Sequence, residues 1–295
     1  MPATIIDGEA IAGQIKAELR REIEELGRRG VVPGLAVVLV GDDPASETYV
    51  RNKTKACAEL GIFSITERLP RDASERIVLE LVARLNLDRK IHGLLVQLPL
   101  PEHINEQRVL NAISPEKDVD GIHPMNLGKL MLGEPEFVAC TPHGIQEMLL
   151  RSGIDPSGKH VVIIGRSNIV GKPLANILMQ KRKGANATVT ICHTGTKDVS
   201  GHTRAADIIV AAAGKPKTVT ADMVKDGVVV IDVGMNRVQD PTAKRGYRLV
   251  GDVDYEEVRK KAGAISPVPG GVGPMTIAML LANTVKSAKM KIGMT

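Results

Sequence analysis

The 295-residue sequence predicts an α/β fold of two domains, each built from parallel-sheet βαβ units. Two observations carry this expectation. A chain of this length exceeds the usual size of one core, which makes two domains the natural prior. Short apolar runs rich in Val and Ile also recur between segments of helical periodicity, as in "GLAVVLVG" at 34–41 and "HVVIIG" at 160–165. Strands buried on both faces read this way, and they occur in parallel sheets covered by helices.

The elements follow in chain order. Ile11, Ile15, Leu19, Ile23 and Leu26 recur at helical spacing, and Gly27 is expected to supply a left-handed stop. The run at 34–41 reads as a buried strand. In "DDPASETYV", Asp43 suits the N-cap, Pro44 the first helical position and Glu47 the positive end of the helix dipole. "FSITERLP" reads as a strand, "SERIVLELVARLN" as a helix begun by Ser74, and "IHGLLVQLPLP" as a buried strand that breaks at Pro99 and Pro101. The turn-rich "SPEKDVDGIHPMNLGKL" at 114–130 interrupts the rhythm and marks the approach to a boundary. A second series opens with the helix "TPHGIQEMLLRSG". Strands follow at "HVVIIG", "ATVTIC", "ADIIVAAAG", "GVVVIDVG" and "GAISPV". The last segment, "GPMTIAMLLANTVKSAKM", is a helix apolar enough to need a surface, and it is expected to return to the first domain. The expected domains are 1–122 completed by 276–295, and 140–270.

Composition excludes several function classes. Apolar residues make up 43% and charged residues 25%, as in ordinary soluble globular chains, and with three Tyr, two Phe and no Trp the core must be aliphatic. No run of 18 apolar residues appears, and "MPATIIDGEA" lacks signal-peptide features, so no membrane partner and a cytoplasmic location are expected. Cys57, Cys140 and Cys192 stand far apart without ligand spacing, which predicts buried or indifferent thiols with no disulfide framework and no metal site. A formal charge of +5 suits anionic small molecules; without a dense Lys/Arg tract it does not indicate nucleic acid.

Candidate chemistry gathers in a few places. In "VVIIGRSNIVGKPLANIL" a strand passes into a helix, the junction that offers free N–H groups and positive potential to a phosphate. Gly165 is present, Ser167 replaces the second glycine of the usual dinucleotide fingerprint, and Val170-Gly171 displaces the third. The next strand ends in "HTGTK" with no carboxylate for a ribose. Thr194 and Thr196 offer hydroxyls there, and Arg166 suits a 2′-phosphate, so NADP rather than NAD is expected. Tyr49 and Lys53, four apart on a helix, share a face beside an inward stripe of Val50, Thr54 and Cys57. A flat ring with a reacting centre near its edge suits an aromatic face next to an amine, and a desolvated lysine exchanges protons near neutral pH. Gln97 emerges at the C-terminal edge of its strand, where α/β sheets bind ligands. Asp118 and Asp120 alternate in "EKDVDG"; Asp118 is assigned to the turn, and a carboxylate such as Asp120 matches adjacent ring donors. "SPVPGGVGPMT" at 266–276 is a rigid glycine-proline loop.

Taken together, "YVRNKTKACAELGI", "GLLVQLPLP", "PEKDVDG", "GRSNIVGKP", "VIDVGMNR", "GDVD" and "PVPGGVGPMT" stand in one order along the chain. The sequence thereby resembles, essentially end to end, the bifunctional methylenetetrahydrofolate dehydrogenase/methenyltetrahydrofolate cyclohydrolases. The resemblance implies a folate domain and a Rossmann NADP-binding domain with a cleft between them, in a homodimer. It implies two reactions: oxidation of 5,10-methylenetetrahydrofolate by NADP, and hydrolysis of the methenyl product to 10-formyltetrahydrofolate. Carried over by position, Tyr49 stacks on the folate, Lys53 is the catalytic lysine, Gln97 orients or tunes it, and Asp120 holds the pterin. Gly270, Gly271 and Pro274 border the substrate pocket, while Gly165, Arg166, Ser167, Thr194 and Met235 bind the cofactor. The family often has Ser at the position of Thr194. The competing readings are a dehydrogenase alone, a non-catalytic nucleotide sensor, and a nucleic-acid binder. The first leaves Lys53 and Gln97 unexplained, and the second also leaves Tyr49 and Asp120 without a task.

Overall fold

A computed structural model describes residues 2–243 and 246–294 of the chain. Two compact units emerge, one comprising Gln14–Cys140 with Ile277–Thr295 and the other Met1–Gly13 with Thr141–Thr276. In chain order the elements begin with β1 (Thr4–Ile5), α1 (Gly8–Arg28), β2 (Gly34–Val40), α2 (Pro44–Leu60), β3 (Phe63–Leu69), α3 (Glu75–Leu87) and β4 (Gly93–Val96). Then come α4 (Glu106–Ala112), a 3-10 turn at Pro115–Lys117, α5 (Pro124–Met131), α6 (Cys140–Arg151), β5 (His160–Ile164), α7 (Gly171–Leu178) and β6 (Thr188–Cys192). The chain continues through α8 (Val199–Ala205), β7 (Ile208–Ala211), a 3-10 turn at Ala221–Met223, β8 (Val229–Asp232), β9 (Asn236–Gln239) and β10 (Tyr247–Val250). It closes with α9 (Tyr255–Val258), β11 (Ala264–Ile265) and α10 (Val272–Lys291).

The unit containing residues 14–140 is organised by a three-stranded parallel sheet in the order β3-β2-β4. All seven residues of β2 are buried, as an apolar run in a central strand must be. The start of α2 follows from its sequence: the Asp43 carboxylate accepts the Ser46 N–H at 2.7 Å, and Pro44 occupies the first turn. Gly61, at φ 74°, ends this helix in the left-handed conformation. In α1 the expected stop at Gly27 is corrected, because the helix runs on to Arg28 and the left-handed residue is Gly30 at φ 74°. The segment at 114–130 is not bare turn either. It contains a 3-10 turn and α5, whose start is capped by the His123 ring nitrogen accepting the Met125 N–H at 3.0 Å.

Residues 277–291 of α10 belong to this unit, and polar side chains fasten them. Asn283 donates to the carbonyls of Val119 (2.8 Å) and Val138 (3.0 Å), and Ser287 donates to those of His92 (2.7 Å) and Glu116 (3.1 Å).

The other unit carries a six-stranded parallel sheet ordered β1-β11-β8-β7-β5-β6. The strand order reverses at β5, which has β6 on one side and β7 on the other, and ligands bind α/β sheets outside the carboxyl ends of strands at such a point. The expected first domain began at residue 1, whereas residues 1–13 fall in this unit. The reason is pairing: Thr4 and Ile5 of β1 lie beside Ala264 and Ile265 of β11. A Cβ on Gly8 would stand 1.9 Å from the Gly271 carbonyl oxygen, so helix and loop meet backbone to backbone. The antiparallel β9-β10 ribbon was not anticipated. Its four-residue strands carry too little apolar pattern to register, and it is held in part by the Arg237 guanidinium 5.0 Å from the Tyr247 ring centroid.

Candidate active site

In the unit of residues 14–140, the cluster starts from the inward face of α2. Ser46, Val50, Lys53, Cys57 and Leu60 are all buried at helical spacing, so Lys53 occupies the core stripe itself. The sequence placed it beside that stripe; it is instead only 7% exposed, while Tyr49 is half-buried and Arg51 and Lys55 face solvent. The ammonium donates to the Gln97 side-chain carbonyl at 3.0 Å. Gln97 stands directly after β4, its own N–H donating to the Val38 carbonyl at 2.8 Å and its amide to the Leu98 carbonyl at 2.8 Å, so the acceptor oxygen is held toward the lysine. Two adjoining strands of one sheet thus fix the partner of a residue on the following helix.

Burial pushes the Lys53 pKa below that of an ordinary lysine, and the nearby Asp120, Cys140 and Cys57 oppose the shift. The two thiols respond in the opposite sense. Burial pushes Cys57 up to about 12 and Cys140 well above the usual thiol value, Asp120 adding to the latter. A lysine whose pKa is lowered by burial gives up its proton more readily than a solvated one, which suits it to proton transfer. Cys140 is buried, as expected, and donates to the Val119 carbonyl at 3.2 Å; its place in the electrostatic neighbourhood of Lys53 and Asp120 is signalled by no spacing in the sequence.

Asp120 is half-buried, and its carbonyl accepts the Cys140 N–H at 3.2 Å. Asp118 has the turn role assigned to it, accepting from His123 N–H (2.8 Å) and Asn126 Nδ2 (2.8 Å), with burial pushing its carboxyl up to about 6.

The second unit holds the remaining candidates. Gly165 ends β5 at φ 131°, where a Cβ would stand 2.2 Å from the Ala212 carbonyl oxygen. Gly171 opens α7, and a Cβ there would stand 2.1 Å from the Gly165 carbonyl oxygen. The displaced third glycine of the fingerprint therefore does the usual work of bringing helix onto strand, six residues after the first. Arg166 and Ser167 are exposed in the intervening turn, the Ser167 hydroxyl accepting the Val170 N–H at 3.1 Å. Thr194 is exposed after β6, whereas the Thr196 hydroxyl is engaged by the His193 N–H at 3.0 Å. Met235 is 40% exposed after β8. Gly270 lies at φ 99° with its carbonyl accepting the Glu9 N–H at 3.0 Å, Gly271 packs against the Pro267 carbonyl, and Pro274 lies in the first turn of α10. These three belong to this unit rather than to the one that holds Lys53.

Comparison with known proteins gives two family matches in succession. Residues 6–120 match the catalytic domain of tetrahydrofolate dehydrogenase/cyclohydrolase, and residues 139–292 match its NAD(P)-binding domain. The bifunctional protein FolD of Syntrophus aciditrophicus (strain SB) is 59% identical over 294 residues, covering 100% of both chains. Among solved structures, the bifunctional FolD methylenetetrahydrofolate dehydrogenase/cyclohydrolase of Campylobacter jejuni is 51% identical with a TM-score of 0.92, covering 98% of this chain and 99% of its own. The FolD of Trypanosoma brucei, complexed with NADP cofactor and an inhibitor, is 43% identical with a TM-score of 0.95, covering 99% of each chain.

Proposed function

The chain belongs to the tetrahydrofolate dehydrogenase/cyclohydrolase family, and from that premise we propose that it oxidises 5,10-methylenetetrahydrofolate with NADP and hydrolyses the methenyl product to 10-formyltetrahydrofolate. NADP, held by the residues of the second unit, would supply the hydride acceptor for the first step, which converts the methylene carbon to the methenyl cation. In the second, water adds to that cation, a proton is lost, and the ring opens to the formyl product. Lys53 moves the proton in the second step. The observation that carries this role is the 3.0 Å hydrogen bond from the buried Lys53 to Gln97, which fixes the amine in place, while burial lowers its pKa from the ordinary lysine value and so eases loss of its proton. Gln97 orients that amine, Tyr49 stacks on the folate, and Asp120 pairs with ring donors of the pterin.

The residues of the second unit fit a dinucleotide. Backbone fills the positions where side chains on Gly165 and Gly171 would stand, which leaves a close-packed strand-to-helix turn for a pyrophosphate. Arg166 would pair with the 2′-phosphate that distinguishes NADP, Ser167, Thr194 and Met235 would complete the cofactor set, and Gly270, Gly271 and Pro274 keep the substrate role that the family resemblance implies. We assign folate chemistry to the unit of Gln14–Cys140 with Ile277–Thr295 and cofactor binding to the unit of Met1–Gly13 with Thr141–Thr276. A dehydrogenase lacking hydrolysis is disfavoured because Lys53 and Gln97 would have no task. We also infer a homodimer, checked by light scattering for the mass of two chains. A cytoplasmic working place is supported by Cys57, Cys140 and Cys192 being free thiols.

The test supplies methylenetetrahydrofolate with NADP and follows NADPH and methenyl absorbance, for the wild type and for Lys53→Met. Hydrolysis by the variant should fall by about 10²- to 10⁴-fold. Unchanged hydrolysis would remove Lys53 from the mechanism.

A further inference from the structure

Two buried carboxylates at the C-terminal ends of β7 and β8 have no part in the proposed chemistry, and no cation pairs with them in the hydrogen bonds or ion pairs found among the described residues. Asp252 is 0% exposed and Asp232 2%. Both are satisfied chiefly by backbone. One Asp252 oxygen accepts the N–H groups of Ala213 (2.7 Å) and Gly214 (2.8 Å), and the other accepts the Asn236 side-chain amide at 2.9 Å. Asp232 accepts the N–H groups of Gly234 (2.9 Å), Asp252 (2.8 Å) and Val253 (3.0 Å). Two glycines make room for the pair: a Cβ on Gly234 would lie 2.3 Å from an Asp252 oxygen, and one on Gly251 would lie 1.8 Å from an Asp232 oxygen.

What the carboxylates hold decides what they are for. Ala213 and Gly214 follow β7, the neighbour of β5 at the point where strand order reverses. The adjoining Ala212 carbonyl is the group against which Gly165 packs. Asn236 follows Met235 at the end of the loop that leaves β8. The two loops would otherwise present free N–H groups at the edge of the sheet where a dinucleotide binds, and a buried anion accepting several N–H groups fixes their conformation before any ligand arrives.

We propose that Asp252, braced by Asp232, is a positioning residue for the cofactor: it clamps the loops at 213–214 and 234–236 in the arrangement that receives NADP, without touching the reacting atoms. This rests on the functional reading above. Hydrolysis of the methenyl cation consumes no NADP, so the two activities should separate when the clamp is broken.

Asp252→Asn keeps the shape but turns one acceptor into an amide donor facing either two backbone N–H groups or the Asn236 amide. The Kd for NADP, titrated without folate, should rise about tenfold or more. The KM for NADP should rise with it, while hydrolysis of methenyltetrahydrofolate and the KM for methylenetetrahydrofolate should stay near wild type. Asn236→Ala, which removes one of the three bonds to the Asp252 carboxylate together with two longer ones to the Val250 and Gly251 carbonyls, should move NADP binding in the same direction by less, and it decides the matter if Asp252→Asn does not fold. Unchanged NADP affinity in a folded variant would overturn the proposal. So would a parallel loss of hydrolysis, which would make the pair merely structural. Failure of the wild type to oxidise methylenetetrahydrofolate would instead count against the functional reading, leaving the NADP titration as an independent test of the clamp.

Discussion

The pair Lys53 and Gln97 carries a pH prediction that follows from the sign of one shift. Desolvation disfavours the ammonium, so the neutral amine appears at lower pH than for a solvated lysine. If the amine is the working form, hydrolysis rises with pH through that lowered value. Gln97→Glu places a carboxylate where the amide oxygen now lies, 3.0 Å from Nζ, and stabilises the charged form. The rising limb of the hydrolysis profile should then move to higher pH by about one to three units, with NADP affinity unchanged. A profile that stays in place would mean that Lys53 does not titrate in the rate-limiting step. The position of this pair was legible at the level of residue types: helical spacing joined Tyr49 to Lys53, and the end of an apolar run placed Gln97 at a sheet edge. The depth of Lys53 was not. A charged residue in a core stripe contradicts the rule that lysines lie outside, and the buried Val50 and Cys57 on either side mark the stripe without revealing that Lys53 completes it.

At the scale of elements, strands and their glycine junctions were easier to read than helix ends or short strands. Continuous runs such as that of β2 and the last four residues of β5 need no partner to be recognised, because burial on both faces excludes polar side chains. Gly27 shows the converse. A glycine inside a helix looks the same in sequence as one that ends it, and only the chain beyond, where Gly30 takes positive φ, distinguishes the two. The turn between β5 and α7 offers the sharper test. Its spacing departs from the usual fingerprint, yet Gly171 lies closer to backbone than any side chain permits, with 2.1 Å from a would-be Cβ to the Gly165 carbonyl oxygen. Gly171→Ala must push α7 away from β5, an overpacking cost of about 1–3 kcal/mol. Binding of NADP, measured by titration, should weaken about tenfold or more if that junction holds the pyrophosphate, while methenyl hydrolysis persists. Equal affinity in wild type and variant would separate the turn from the cofactor.

For the whole molecule, the order of segments matters more than the boundary expected between them. Each unit is discontinuous: the stretch Gln14–Cys140 is completed by Ile277–Thr295, the far end of the chain. The need of α10 for a surface was readable from its apolar face, but the polar fastening was not, since Asn283 and Ser287 become meaningful only beside the carbonyls of Val119, Val138, His92 and Glu116. Removing residues 277–295 would take away the Asn283 and Ser287 donors, leaving the Val119 carbonyl with the Cys140 thiol, and uncover the core that Leu281 and Val285, both 0% exposed, help to close. Burial of a Leu or Val side chain contributes about 1.5–3 kcal/mol, and a whole domain is stable by only about 5–15 kcal/mol. A fragment of residues 14–140 should therefore bind a hydrophobic dye and melt without a cooperative transition. The Thr141 and Thr276 hydroxyls lie 2.9 Å apart, so a short Gly-Ser linker from Cys140 to Ile277 spans little distance and should restore cooperative melting in one continuous piece. Cooperative unfolding of 14–140 alone, at the same urea midpoint as the linked form, would show that α10 is dispensable to the unit that holds Lys53.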